Sequence, residues 1–160
     1  MATLASLVEQ GFLIPFRPRL VESHRVWRRL WLRPSVIDWL EAVVFDASSS
    51  IGNKRRPYEQ FDDLMEEFCA GISLNLPRDF HVLRPAEQSV WELKTDELRL
   101  FGFFPGKNEF VIVFGDFADR VKDHDLYAGY RNETVRLRDQ MNLPSFIKGQ
   151  RYDDVLSDAP

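Results

Sequence analysis

One cysteine, three histidines and eight glycines are all that the 160 residues hold of these three types. With Cys69 alone, no disulfide can close within the chain. A zinc site would have to draw its other ligands from elsewhere, and His24, His81 and His124 are too scattered to form a metal set. The glycines make neither a P-loop nor a GxGxxG turn, and GxSxG and HExxH are missing as well. No metal or cofactor is implied. No apolar run approaches the roughly 18 residues of a membrane span. A single cysteine without an export signal fits a reducing cytoplasm. A chain of this length buries roughly two-thirds of its unfolded surface, so it needs no covalent staple.

Basic surplus is also lacking. The formal net charge is −4, whereas nucleic-acid-binding domains are usually basic. That average hides a segregation. Residues 1–56 hold nine Lys and Arg against five acids, residues 57–70 hold five acids and no base, and the remainder holds twelve bases and fifteen acids. The bases crowd between Arg17 and Arg33 and again at Lys54-Arg55-Arg56. Local patches, rather than the average, decide what binds.

Residues 1–25 read as a loosely packed arm, because Gly11, Pro15 and Pro18 interrupt any regular pattern. The domain proper spans 26–143, and 144–160 reads as a polar, acidic, mobile tail. VWRRLWL, from Val26, suits a short strand. Ser35 and Asp38 resemble a capping box, and Val36, Trp39, Leu40 and Val43 continue at helical spacing. Phe61, Leu64, Met65, Phe68 and Cys69 define the clearest helix, with Gly71 placed to cap it. Cys69 lies on its apolar stripe and reads as core rather than nucleophile. The acids of its outer face (Glu59, Asp62, Asp63, Glu66, Glu67) read as a solvated surface or as a docking face for the basic arm. Asp62-Asp63 and Asp153-Asp154 lie on solvent faces, where nothing shifts a carboxyl toward acid–base work.

After Gly71 the period shortens. His81–Arg84 and Ser89–Lys94 read as strands, LRLFGFF and FVIVF are apolar on both faces, and Pro105–Asn108 is a hairpin turn. A last helix is expected from Lys122 to Met141, stopped by Pro144. The fold class is therefore α+β: an N-terminal strand and a helical pair packed on a small antiparallel meander sheet, closed by a C-terminal helix.

The chemistry-bearing candidates are cations among aromatic strands. Arg84 ends one strand, Lys94 ends the next, and Arg99 interrupts LRLFGFF. Tight turns can bring them to one side of a sheet. Buried unpaired, Arg99 is costly, so it must snorkel, meet an acid or face a polar ligand. Arg120, Lys122, Tyr127 and Tyr130 follow the last strand and can extend the same rim. Guanidinium groups hold phosphate bidentately, and Tyr rings stack on unpaired bases, so the set suits a phosphodiester. The alternative is a sheet whose edge charges pair with Glu92, Asp96 and Glu97.

VWELKTDELRLFGFF, followed by EFVIVFGDFADRVKDHD, resembles the RelE/HigB-like toxins and their phage-derived branch. RRLWLRPSVIDWLEA is similar to that family's first strand and helix, and FDDLMEEFCAGISLNLP to its second helix. The likeness runs from about Val26 to Met141. It implies a RelE-like domain with metal-independent endoribonuclease activity on mRNA, possible action in the ribosomal decoding site, and a cognate antitoxin as partner. Lys94 then takes the place of the Arg closing the family's Trp-Glu-Leu-Arg strand, and Arg99 that of the Arg in the next strand. Arg120 and Lys122 fall near its Lys-Lys segment, and Arg84, Tyr127 and Tyr130 are left to contact substrate. On this reading Arg99 clamps phosphate, since it stays protonated, while Lys94 or a Tyr with a depressed pKa is the base. The chain departs from the pattern at Lys94, where Lys stands for Arg, and at Ala118-Asp119, where a basic pair is expected. Other readings are a catalytically degenerate domain that binds a protein or nucleic acid, and a mobile-element protein with an unrelated structural role. A homo-oligomer remains open.

Overall fold

The apolar runs of the C-terminal half become the middle of a six-stranded sheet. A computed structural model describes residues 1–21 and 24–160. Its strands are β1 (Ile14–Pro15), β2 (Arg29–Leu32), β3 (Phe80–Val82), β4 (Trp91–Lys94), β5 (Leu98–Gly106) and β6 (Glu109–Phe117), in the order β1-β2-β6-β5-β4-β3. Its helices are α1 (Leu4–Glu9), α2 (Pro34–Trp39), α3 (Pro57–Ala70), α4 (Ala118–Asp123), α5 (Tyr127–Met141) and α6 (Tyr152–Val155). The fold is α+β. β3 to β6 form the expected antiparallel meander, but β2 lies parallel to β6, with Leu30 opposite Phe110. The sheet is therefore mixed rather than antiparallel. Parallel neighbours need a long crossover, and the chain from α2 through the meander supplies it.

LRLFGFF and FVIVF are apolar on both sides because the sheet is covered on both. One face carries Leu93, Leu100, Phe104, Phe110 and Ile112, packed against Phe61, Met65 and Phe68 of α3 and Val36 of α2. The other carries Phe103, Val111 and Trp31 beside Leu7 of α1 and Leu137 of α5. Further along that second face, Phe101 and Leu83 meet Val121 and Tyr130.

α3 follows its sequence pattern. Phe61, Leu64, Met65, Phe68 and Cys69 are all buried, and Gly71 ends the helix at φ +79, where a Cβ would come within 2.8 Å of the Trp27 ring. Burial pushes the Cys69 thiol up to about 12. α2 starts differently from expectation. Pro34 occupies the first turn behind Arg33, no side chain caps the helix, and it runs on through a π-helical turn at Leu40–Val44. Proline needs no partner for its nitrogen there, so the Ser35–Asp38 box is redundant. The single helix expected over Lys122–Met141 is two, broken where Asp125 adopts φ 51. The hairpin turns at Lys107-Asn108, with Asn108 at φ 63, and Pro105 stays in β5.

Two further expectations fail. Residues 1–21 are not loosely packed: Leu7 and Leu13 are buried, β1 pairs with β2, and Phe16 meets Phe61 edge to face. The prolines that break regular structure here do so at the points where the chain changes direction over the sheet. Nor is the tail free. Val155 and Leu156 are fully buried, and Asn108 donates its amide to Val155 O at 2.9 Å. Arg28, with no exposed surface, donates to Ser157 O, Phe68 O, Ile72 O, Tyr152 Oη and Asp158 Oδ1. That guanidinium ties the tail to carbonyls at and just past the end of α3. Two apolar residues in an acidic segment were too weak a signal to predict this.

Candidate functional site

Strand register decides which cations meet. Lys94 on β4 stands directly opposite Arg99 on β5, which in turn stands opposite Asp116 on β6. One step inward on the same face run His81, Glu92, Phe101 and Phe114, again each opposite the next. Successive residues alternate between faces, so both rows look toward α4 and α5.

Arg99 is buried, yet no carboxylate pairs with it or with Lys94 among the described residues. Its Nη1 donates to Thr95 O at 2.8 Å and Leu98 O at 3.0 Å, while its Nε has no partner. The acids expected to neutralise these cations are engaged elsewhere. Glu97 accepts from Ser50 N and from Gln60 Nε2, both at 2.7 Å. Asp96 accepts from Asn53 Nδ2 at 3.0 Å. Glu92, 1 % exposed, bonds His81 Nε2 through one oxygen and leaves the other without a partner. Asp116, though opposite Arg99, accepts from Arg120 Nε at 3.1 Å, from its neighbour Phe117 N and from the Tyr130 hydroxyl.

Burial holds the Lys94 ammonium below the usual lysine range. Glu92 opposes that effect, and the charges of Arg99 and Lys122 add to it. Lys122 thus acts electrostatically on the same spot, from the exposed side of α4. The structure brings together Lys94, Arg99, Arg120 and Lys122, with Arg120 partly committed to Asp116.

Three sequence-derived candidates take other places. Antiparallel neighbours end at opposite edges, so Arg84, just past β3, lies at the far end of the sheet from Lys94. Its carbonyl accepts from Arg131 Nη1 at 2.6 Å. Tyr130 stacks on Phe101 with ring centroids 4.9 Å apart and leans on Phe114, so its faces are taken. Burial, then the bond to Asp116, pushes its hydroxyl up to about 12. A shift in that direction works against Tyr130 as a base near neutral pH. Tyr127 meets Phe101 edge-on and stays half-buried at the rim.

Sequence reasoning missed His81, Glu92 and Asp116 as members of this site. The alternation in Trp-Glu-Leu-Lys already puts Glu92 on the face of Lys94. Nothing local announces that β3 will set His81 across from it. Both His81 nitrogens face oxygens, Nδ1 meeting Val82 O at 2.9 Å. Among the described residues no group of three His, Cys, Asp or Glu side chains is placed to hold a metal ion. No helix there is long and apolar enough to cross a membrane. Compared with protein-family models, with curated proteins and with solved structures, the chain matches none at a significant level.

Proposed function

We propose that the chain is an endoribonuclease of the RelE/HigB-like kind, a toxin that cuts mRNA without a metal ion and is neutralised by a cognate antitoxin. The observation that carries this reading is the facing pair Lys94 and Arg99, two cations in register with no acid in an ion pair with either among the described residues. Like charges directly opposite in a sheet are destabilising, and a phosphodiester bound between them would relieve the repulsion. The order strand, helical pair, meander and C-terminal helix is consistent with the resemblance noted in the sequence.

In this scheme Arg99 binds the scissile phosphate. Lys94, whose ammonium burial holds below the usual lysine range, with Arg99 and Lys122 adding to that effect against Glu92, takes the proton of the ribose 2′-hydroxyl. That oxygen attacks phosphorus, the bond to the 5′-oxygen breaks with its electron pair going to that oxygen, water supplies the proton that turns it into a 5′-hydroxyl, and a 2′,3′-cyclic phosphate remains. Lys122 and Arg120 stabilise the charge that develops on the phosphoryl oxygens. Tyr127 borders the path of the unpaired base.

Induced expression tests the toxin reading. Growth should arrest, Arg99→Ala should relieve the arrest, and the purified chain should cut single-stranded RNA in the presence of a chelator. Normal growth with the wild-type chain would overturn it. The engagement of Arg120 by Asp116 favours one alternative, a domain of this fold that binds RNA without cutting it. RNA affinity that depends on Lys94 and Arg99, without cleavage, would establish that alternative.

A further inference from the structure

α1 and the C-terminal half of α5 are joined at one end, where Ala2 N donates to Asn142 O at 3.0 Å. Between them lies a cavity of about 560 Å³, lined by Leu7, Phe12, Leu137 and Met141, with Gln140 at its rim and Arg33 in its wall. That volume falls within the roughly 300–1,000 Å³ of small-ligand sites, which are mostly apolar with a few placed polar groups. It is separate from the Lys94–Arg99 row and does not depend on the ribonuclease reading.

Arg33 gives the cavity its chemistry. The guanidinium is half-buried, lies 5.2 Å above the Phe114 ring centroid and donates through Nη1 to Val113 O at 3.2 Å. It has no ion-pair partner among the described residues. The carboxylate acting on it, Glu133, is bound by Arg136 at 2.7 Å. Arg136 adds a second positive field, so Arg33 presents an uncompensated cation to an apolar chamber. Phe12 stands at the mouth, 60 % exposed. Its ring is available to a hydrocarbon that enters the cavity.

We propose that this cavity binds a small amphipathic carboxylate, its head group on Arg33 and its hydrocarbon body between Leu7, Phe12, Leu137 and Met141. A guanidinium takes a carboxylate bidentately, and the surrounding low dielectric strengthens the contact. The apolar walls reject a small hydrated anion and select for a hydrocarbon chain behind the charge.

Calorimetric titration with sodium decanoate tests the proposal, with 1-decanol as the uncharged probe. One decanoate should bind per chain. Decanol should bind about ten- to a hundred-fold more weakly, the range of one charge-assisted hydrogen-bonded contact. Arg33→Met should lose a similar factor, and Arg33→Lys should retain more affinity than Arg33→Met. Because Arg33 also supports β6, a second variant is needed: Met141→Trp fills the chamber, leaves the cation in place and should abolish binding at an unchanged melting temperature. Decanoate and decanol binding equally would overturn the proposal. So would the absence of saturable decanoate binding, or full affinity in Met141→Trp.

Discussion

Lys94 and Arg99 face each other across β4 and β5, and among the described residues no carboxylate forms an ion pair with either. Removing one charge should therefore stabilise the fold while it weakens RNA binding. Lys94→Gln is expected to gain about 0.2–1 kcal/mol, which is roughly 0.5–4 °C in melting temperature for a chain of this size. In RNA titrations across salt concentrations, the same change should lower affinity and reduce the salt slope by about one. A variant both less stable and unchanged in RNA binding would contradict the site.

The depressed Lys94 pKa has a chemical signature. A lower pKa leaves more free amine at a given pH, so Lys94 should acylate at a lower pH than exposed Lys54 or Lys107. Arg99→Gln removes one of the charges that depress it and should move that reactivity toward higher pH. Peptide mass spectrometry after limited acylation reads both effects.

Cys69 should be inert in the folded chain. With its thiol pushed up to about 12 and its side chain buried, the thiolate is scarce and shielded at neutral pH. Titration with a thiol-reactive dye should show no fast phase under native conditions and one equivalent in denaturant.

Both termini should prove structural. Leu13→Ala is expected to cost about 2–5 kcal/mol, as for other buried leucines, and deleting residues 1–21 should cost at least as much. Arg28→Met removes a buried guanidinium bonded to the tail and to α3, and should lower stability by about 3–5 kcal/mol. Truncation after Arg151 should give a similar loss, since it strips the partners of Arg28 and uncovers the site of Val155 and Leu156. Thermal melts of the four variants suffice. An unchanged melting temperature in the tail truncation would refute the packing of α6.

What the sequence determined is what depends on near neighbours. The buried stripe of α3, its glycine cap, the strand character of LRLFGFF and FVIVF, and the burial of Cys69 all follow from local periodicity, and each is found in the structure. Lys94 and Arg99 were also legible as candidates, because cations in apolar strands are costly and stand out. Pairing at long sequence separation was left to the tertiary structure. Register placed Lys94 against Arg99, sent Arg84 to the far end of the sheet, and set His81 across from Glu92. The crossover made β2 parallel to β6. The ends of the chain were drawn in because Arg28, Leu13 and Leu156 bury against residues tens of positions away. Side-chain periodicity shows which face a residue occupies, but only the assembled sheet fixes which neighbour that face meets.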